Sequence, residues 1–115
     1  MKLLTKAAKT KLLANAAFAA SGGDTSEIKP VVKFFGGSAC TWLASEMDED
    51  GMMFGLADLG FGAPEMGYFD IAELESIKFP PFNLGIERDI NFKAKVSLSK
   101  YADMARGNGG LMGIA

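Results

Sequence analysis

Hydrophobic positions change their period several times along this chain, and each change marks an element. Near the N-terminus, Leu3, Leu4, Ala7 and Ala8 fall between Lys2, Lys6 and Lys9 at helical spacing. That spacing predicts an N-terminal helix within residues 1–20, its body running from 3 to 20. Ser21-Gly22-Gly23-Asp24 ends it, because Gly accepts the left-handed conformation that caps a helix. Val31-Val32-Lys33-Phe34-Phe35 is β-branched and aromatic and lies between Pro30 and Gly36-Gly37, which predicts a strand over 31–35. In residues 40–46, Thr41, Leu43 and Ser45 alternate with Cys40, Trp42 and Ala44, the period of a strand. Further strands are expected over 52–57 and 65–69. Asp48-Glu49-Asp50-Gly51 reads as a hairpin turn. Connections this short cannot hold parallel crossovers, so the strands form an antiparallel meander.

Asp70 followed three residues later by Glu73 predicts a capped helix start, and Ile71, Leu74 and Ile77 form one apolar face over 71–77. Pro80-Pro81 stops that helix. A fifth strand is expected over 88–92. Ser97 is placed to cap a last short helix near 98–105, and residues 107–115 read as a loose tail. The expectation is one α+β domain over 1–115. Its sheet core (31–92) is an antiparallel sheet of four or five strands, with the N-terminal helix and one or two short helices packed on one face. Phe34 or Phe35, Trp42, Phe54, Leu56, Tyr68, Leu74 and Ile77 are the expected core.

Composition narrows the chemistry. A chain of 115 residues is one domain by length, and 49% apolar residues suit a globular core. Histidine is absent, which removes His general bases, Ser-His and Cys-His pairs and His-containing zinc sites. The single cysteine, Cys40, excludes an intrachain disulfide and reads as a small core residue. It fits a reducing compartment, so a cytoplasmic location is expected. No apolar stretch approaches the roughly 20 residues of a membrane span. The lysines before Leu12–Ala20 imitate a secretion signal, but Lys11 and Asn15 interrupt the apolar run, and helical spacing favours a mature helix.

Charge adds more. Residues 34–77 hold no Lys or Arg and nine acids, whereas the first 33 residues carry six bases against two acids and residues 78–115 six against three. A net charge of −2 conceals this dipolar layout. The bland interpretation is a set of separately solvated carboxylates. The sharper one is a negative face built by Glu46, Asp48, Glu49, Asp50, Asp58 and Glu65. Such a face would repel nucleic acid itself and attract a basic, nucleic-acid-binding protein.

Other patterns carry less. Glu46-x-Asp48-x-Asp50-Gly51 imitates the start of a calcium loop, but the twelfth position is Ala57 rather than Glu. Asp24 with Glu27-x-Lys29 imitates a carboxylate–lysine nuclease set, although both acids belong to one connecting loop. Gly36-Gly37-Ser38 and Gly60-Phe61-Gly62 are too short for phosphate loops and read as turns. The rings from Phe34 to Phe69 lack the interleaved cations of a base-stacking surface. No catalytic, metal or cofactor set emerges.

Six short blocks occur in a familiar order: Leu3–Lys6, Val32–Phe35, Thr41–Glu46, Phe54–Leu56, Met66–Leu74 and Ile86–Asp89. In these the chain resembles DUF2958, a family of unknown function, over roughly residues 3–92. The resemblance implies a setting among accessory proteins of plasmids, phages and integrative elements. Together with the acidic segment, it leads to the expectation of a non-enzymatic inhibitor of a host defence complex, anti-CRISPR or anti-restriction in type, acting by protein binding. The alternatives are a metal-dependent endonuclease on single-stranded DNA, a label the resemblance also carries, and a regulatory or assembly module unrelated to defence.

Overall fold

The computed structural model describes residues 2–37 and 39–115, so the Ser38 end of the Gly36-Gly37-Ser38 turn lies outside the described residues. Helix α1 spans Lys6–Ala20 and starts later than the apolar spacing suggests. Thr5 stops it from starting earlier: its backbone is extended and its hydroxyl accepts the Ala8 N–H at 3.0 Å, a capping bond. Strands β1 (Val32–Gly36), β2 (Cys40–Met47), β3 (Met52–Asp58) and β4 (Glu65–Asp70) follow, each within a residue or so of expectation. Helix α2 (Ile71–Ser76) begins on Asp70, whose carboxylate accepts the Ala72 N–H at 2.8 Å. A small hairpin of β5 (Lys78–Phe79) and β6 (Leu84–Gly85) leads to β7 (Glu87–Arg88). The expected strand over 88–92 is therefore shorter and earlier. Asp89 turns the chain by accepting the Asn91 N–H at 2.9 Å on its side chain and the Phe92 N–H at 3.2 Å on its carbonyl. Helix α3 (Leu98–Asn108) is capped by Ser97, as its position suggests, and runs three residues past the expected end.

The sheet is antiparallel in the order β4-β3-β2-β1-β7. Its two faces are both covered, which departs from the expected one-sided packing. Leu3, Leu12, Phe34, Trp42, Met47, Met53 and Leu74 build the core on the α1 face. Leu43 and Leu56 meet Leu98, Tyr101, Ala102, Ala105 and Leu111 on the α3 face. Double coverage shows in β2 as an unbroken buried run, Trp42 to Ser45, where a half-exposed strand would alternate.

Residues 107–115 are not loose. Leu111 is fully buried among the α3-face residues. Its N–H donates to the Asp58 carboxylate at 2.7 Å, and the Lys33 ammonium donates to the Ala115 carbonyl at 2.8 Å. The tail is the last piece of the second layer.

A bulge sets the side-chain order of β2. Ala44 pairs with Gly55 and Glu46 with Phe54, leaving Ser45 as the extra residue. This one-residue shift returns Met47 to the α1 core and sends Glu46 to the α3 face. At Gly55 a β-carbon would collide with the Leu43 carbonyl, so no other residue fits. The Ser45 carbonyl, lost from the regular ladder, accepts from the Asn15 side chain of α1 at 2.9 Å. Asn15, which breaks the apolar run of α1 in the sequence, thus satisfies the bulge.

Two substitutions test this packing. Trp42 is 5% exposed, and Trp42→Ala should cost about 3–5 kcal/mol in chemical denaturation. Asn15→Ala leaves the Ser45 carbonyl without its partner and should cost about 1–3 kcal/mol despite the higher helix propensity of Ala. An unchanged denaturation midpoint for either variant would contradict the packing described.

Candidate functional site

The six acids singled out by the sequence do not form one face. Asp48, Glu49 and Asp50 are exposed at the tip of the β2–β3 hairpin. Asp48 also builds that tip: one carboxylate oxygen accepts the N–H groups of Asp50 and Met52, both at 2.9 Å. Gly51 closes the turn at φ +88°, and its carbonyl accepts the Ile71 N–H at 3.0 Å, which ties the tip to the start of α2. Asp70 pairs with Met52 beside it. Glu46 lies two residues from the tip on the α3 face, opposite Phe54.

Glu65 belongs to the other end of the sheet. It pairs with Ala57, roughly 17 Å along β3 from Met52 at about 3.4 Å per residue. Asp58 is a correction of a different kind. It is 4% exposed, with its carboxylate oxygens taken by the N–H of Gly60 at 2.9 Å and of Leu111 at 2.7 Å. It holds the tail and offers nothing to a partner.

The acids that gather instead come from two elements. Glu49 and Asp50 of the tip and Glu75 of α2 line one open cleft of about 340 Å³, floored by Leu4, Met47 and Ile71. Lys2 and Lys9 form its other wall. Folding therefore brings part of the basic N-terminus against the acidic segment, although the two are separate in sequence. Glu75 is one of the nine acids of the central segment but not of the expected face, since only the docking of α2 on the hairpin end brings it here.

Partial burial beside Phe54 pushes the Glu46 carboxyl above its ordinary value, because desolvation disfavours the charged form. Cys40 is half-buried, packed at the margin of the α1-face core and open to a cleft of about 290 Å³ with Lys33, Thr41 and Met112. Desolvation, and secondarily Asp58, push its thiol upward, so it holds less of the reactive thiolate than a free cysteine. Among the described residues, no three Cys, Asp or Glu side chains gather so as to hold a metal ion, and no helix is long and apolar enough to cross a membrane. Tyr68, expected in the core, is 74% exposed on the edge strand, its ring 5.1 Å from that of the half-buried Phe54.

The fold and this surface define an α+β domain whose hairpin end carries exposed carboxylates from the turn and from α2. The chain belongs to the family described as Protein of unknown function (DUF2958), whose model matches residues 3–112. That range extends past α3 and takes in Leu111 of the docked tail. No match to a curated protein or to a solved structure was found.

Asp58→Ala should strand the buried Leu111 N–H and cost about 1–3 kcal/mol. The same variant should show faster proteolysis after α3, and a tail as resistant as in the parent would count against the latch. Glu46 gives a pH test. The folded state holds its proton at a pH where the unfolded chain has released it. Its contribution to stability therefore falls as pH rises through the window just above an ordinary Glu value. Carboxyl titration by NMR should place Glu46 above an unstructured Glu, and Glu46→Gln should abolish that share of the pH dependence.

Proposed function

We propose that this protein is a binding module that presents its hairpin end to a basic, nucleic-acid-binding protein. In the mobile-element setting that the family resemblance implies, the partner is a host defence complex of CRISPR or restriction type, which the bound module blocks. The carrying observation is the exposure of Asp48, Glu49 and Asp50 on a turn pinned to α2, with Glu75 beside them. A pinned turn loses little backbone freedom on binding, so its charges are presented from a preformed loop. Carboxylates so held compete for sites that otherwise receive phosphates, and steer association at low salt.

The test must respect the double role of Asp48. Removing all three tip acids together would also take the acceptor from two turn N–H groups. Glu49→Gln with Asp50→Asn removes charge and leaves the turn intact, so stability should change by about 0.5 kcal/mol or less. Partners captured from a host that carries defence systems supply the binding assay, run at two ionic strengths. The double variant should bind and inhibit less well, with the larger loss at low salt. Binding equal to the parent at both salts would remove the tip from function. Cleavage of labelled single-stranded DNA with Mg²⁺ or Mn²⁺, abolished by an Asp or Glu substitution, would replace this proposal with the nuclease alternative.

A further inference from the structure

The two edges of the sheet differ in kind. At one edge β7 is two residues long and a poor template for another strand. At the other, β4 has six residues, β3 on one side and no described strand on the other. The usual protections of an edge are Lys, Pro, a bulge or a covering element. Glu65–Asp70 contains no Lys or Pro, and its pairing to β3 runs in unbroken register. A β-carbon at Gly67 would meet nothing within 4 Å, so no described segment lies over that point.

Hydrogen bonding gives this edge a direction. The Ile71 N–H donates to the Gly51 carbonyl, so that rung is a bonded one. Antiparallel rungs alternate, which turns Phe69 and Gly67 toward β3 and the N–H and C=O groups of Met66 and Tyr68 outward. The outward groups lie beside the exposed Tyr68 ring.

We propose that the β4 edge takes an extended, Lys- or Arg-rich segment of the partner as a sixth strand. The proposal rests on the binding-module reading above and names where and how that module engages its partner. Charge selects the occupant. Strands β2, β3 and β4 and helix α2 carry no Lys or Arg, and the edge is bracketed by Glu65 at one end and Asp70 at the other. Lys2 and Lys9 approach the hairpin end from the α1 face, where Leu4 and Met47 line the same cleft. A second copy of β4 would bring an all-acidic half-sheet against its own likeness. A cationic strand meets opposite charge at both ends and presents a side chain to the Tyr68 ring, a geometry for cation–π contact. Main-chain bonds to Met66 and Tyr68 supply the affinity of strand addition, and flanking side chains its selectivity. The site is continuous with the hairpin tip, since Asp70 pairs with Met52 next to Gly51.

The test uses the full chain and a synthetic peptide of alternating Lys and Val. Two comparators are the same peptide N-methylated along both edges, which cannot pair as a strand, and a Glu–Val peptide. Binding and amide exchange are followed by NMR at low salt. The Lys–Val peptide should bind and slow exchange at Met66 and Tyr68. N-methylation should weaken binding about tenfold, the effect of losing one or two net hydrogen bonds, and the Glu–Val peptide should not bind. Met66→Pro removes an outward N–H without a β3 bond and should weaken binding to a similar degree, with a thermal melt as folding control. Equal binding of the N-methylated peptide, with shifts confined to Asp48–Asp50, would overturn strand addition and leave the acidic-tip proposal standing. No binding of any cationic peptide would overturn both. Slowed exchange at Met66 and Tyr68 that grows with protein concentration alone would assign the edge to a second copy instead.

Discussion

Burial of β2 on both faces is the constraint from which the rest of this structure follows. Trp42 and Ala44 point to one layer, Leu43 to the other, and all three are buried. Leaving Leu43 and Leu56 uncovered would forfeit about 1.5–3 kcal/mol for each side chain, a large part of the margin of a small domain. A second layer is therefore required. α3 supplies most of it, and the segment beyond α3 supplies the remainder by burying Leu111. Asp58 and Lys33, two charged residues on the sheet, hold that segment through its backbone. Their polar bonds serve an apolar requirement.

The same strand decides what the surface offers. The bulge at Ser45 exchanges the faces of the residues after it, so that Met47 enters the α1 core and Glu46 joins Phe54 and Tyr68 on the other side. Asn15 makes the bulge tolerable by bonding its carbonyl, and Gly55 makes it possible by having no side chain. Beyond the bulge, the hairpin turns on Asp48 and is tied to α2 through Gly51. Fixed carboxylates and an open β4 edge thus meet at one corner of the sheet. The proposed partner contact and strand addition share that corner.

Much of the fold was legible in the sequence because local signals agreed with one another. The period-2 runs at β1 to β4, the Asp-Glu-Asp-Gly turn and the caps Asp70 and Ser97 all mark their elements within a residue or two. What escaped depends on pairing that no local pattern encodes. Tyr68 looks like core by residue type, yet it sits on the edge strand β4 and is 74% exposed. Asp58 looks like one more surface acid until Leu111 arrives from 53 residues away. Gly107 to Gly110 reads as the start of a loose end, whereas Gly109 at φ +77° is the left-handed cap that turns the chain back onto the sheet. Glu65 and Asp48 share a sign and a segment, but the hairpin register sends them to opposite ends.

The claim that the second layer is completed by the docked tail is tested most directly by amide hydrogen exchange at Leu111 in the unmodified protein. The account predicts that this N–H, buried and bonded to Asp58, exchanges as slowly as the amides of β2 and β3, because releasing it uncovers the α3-face core. Exchange at the rate of an open chain end would contradict it and would mean that the sheet keeps its second face without the tail.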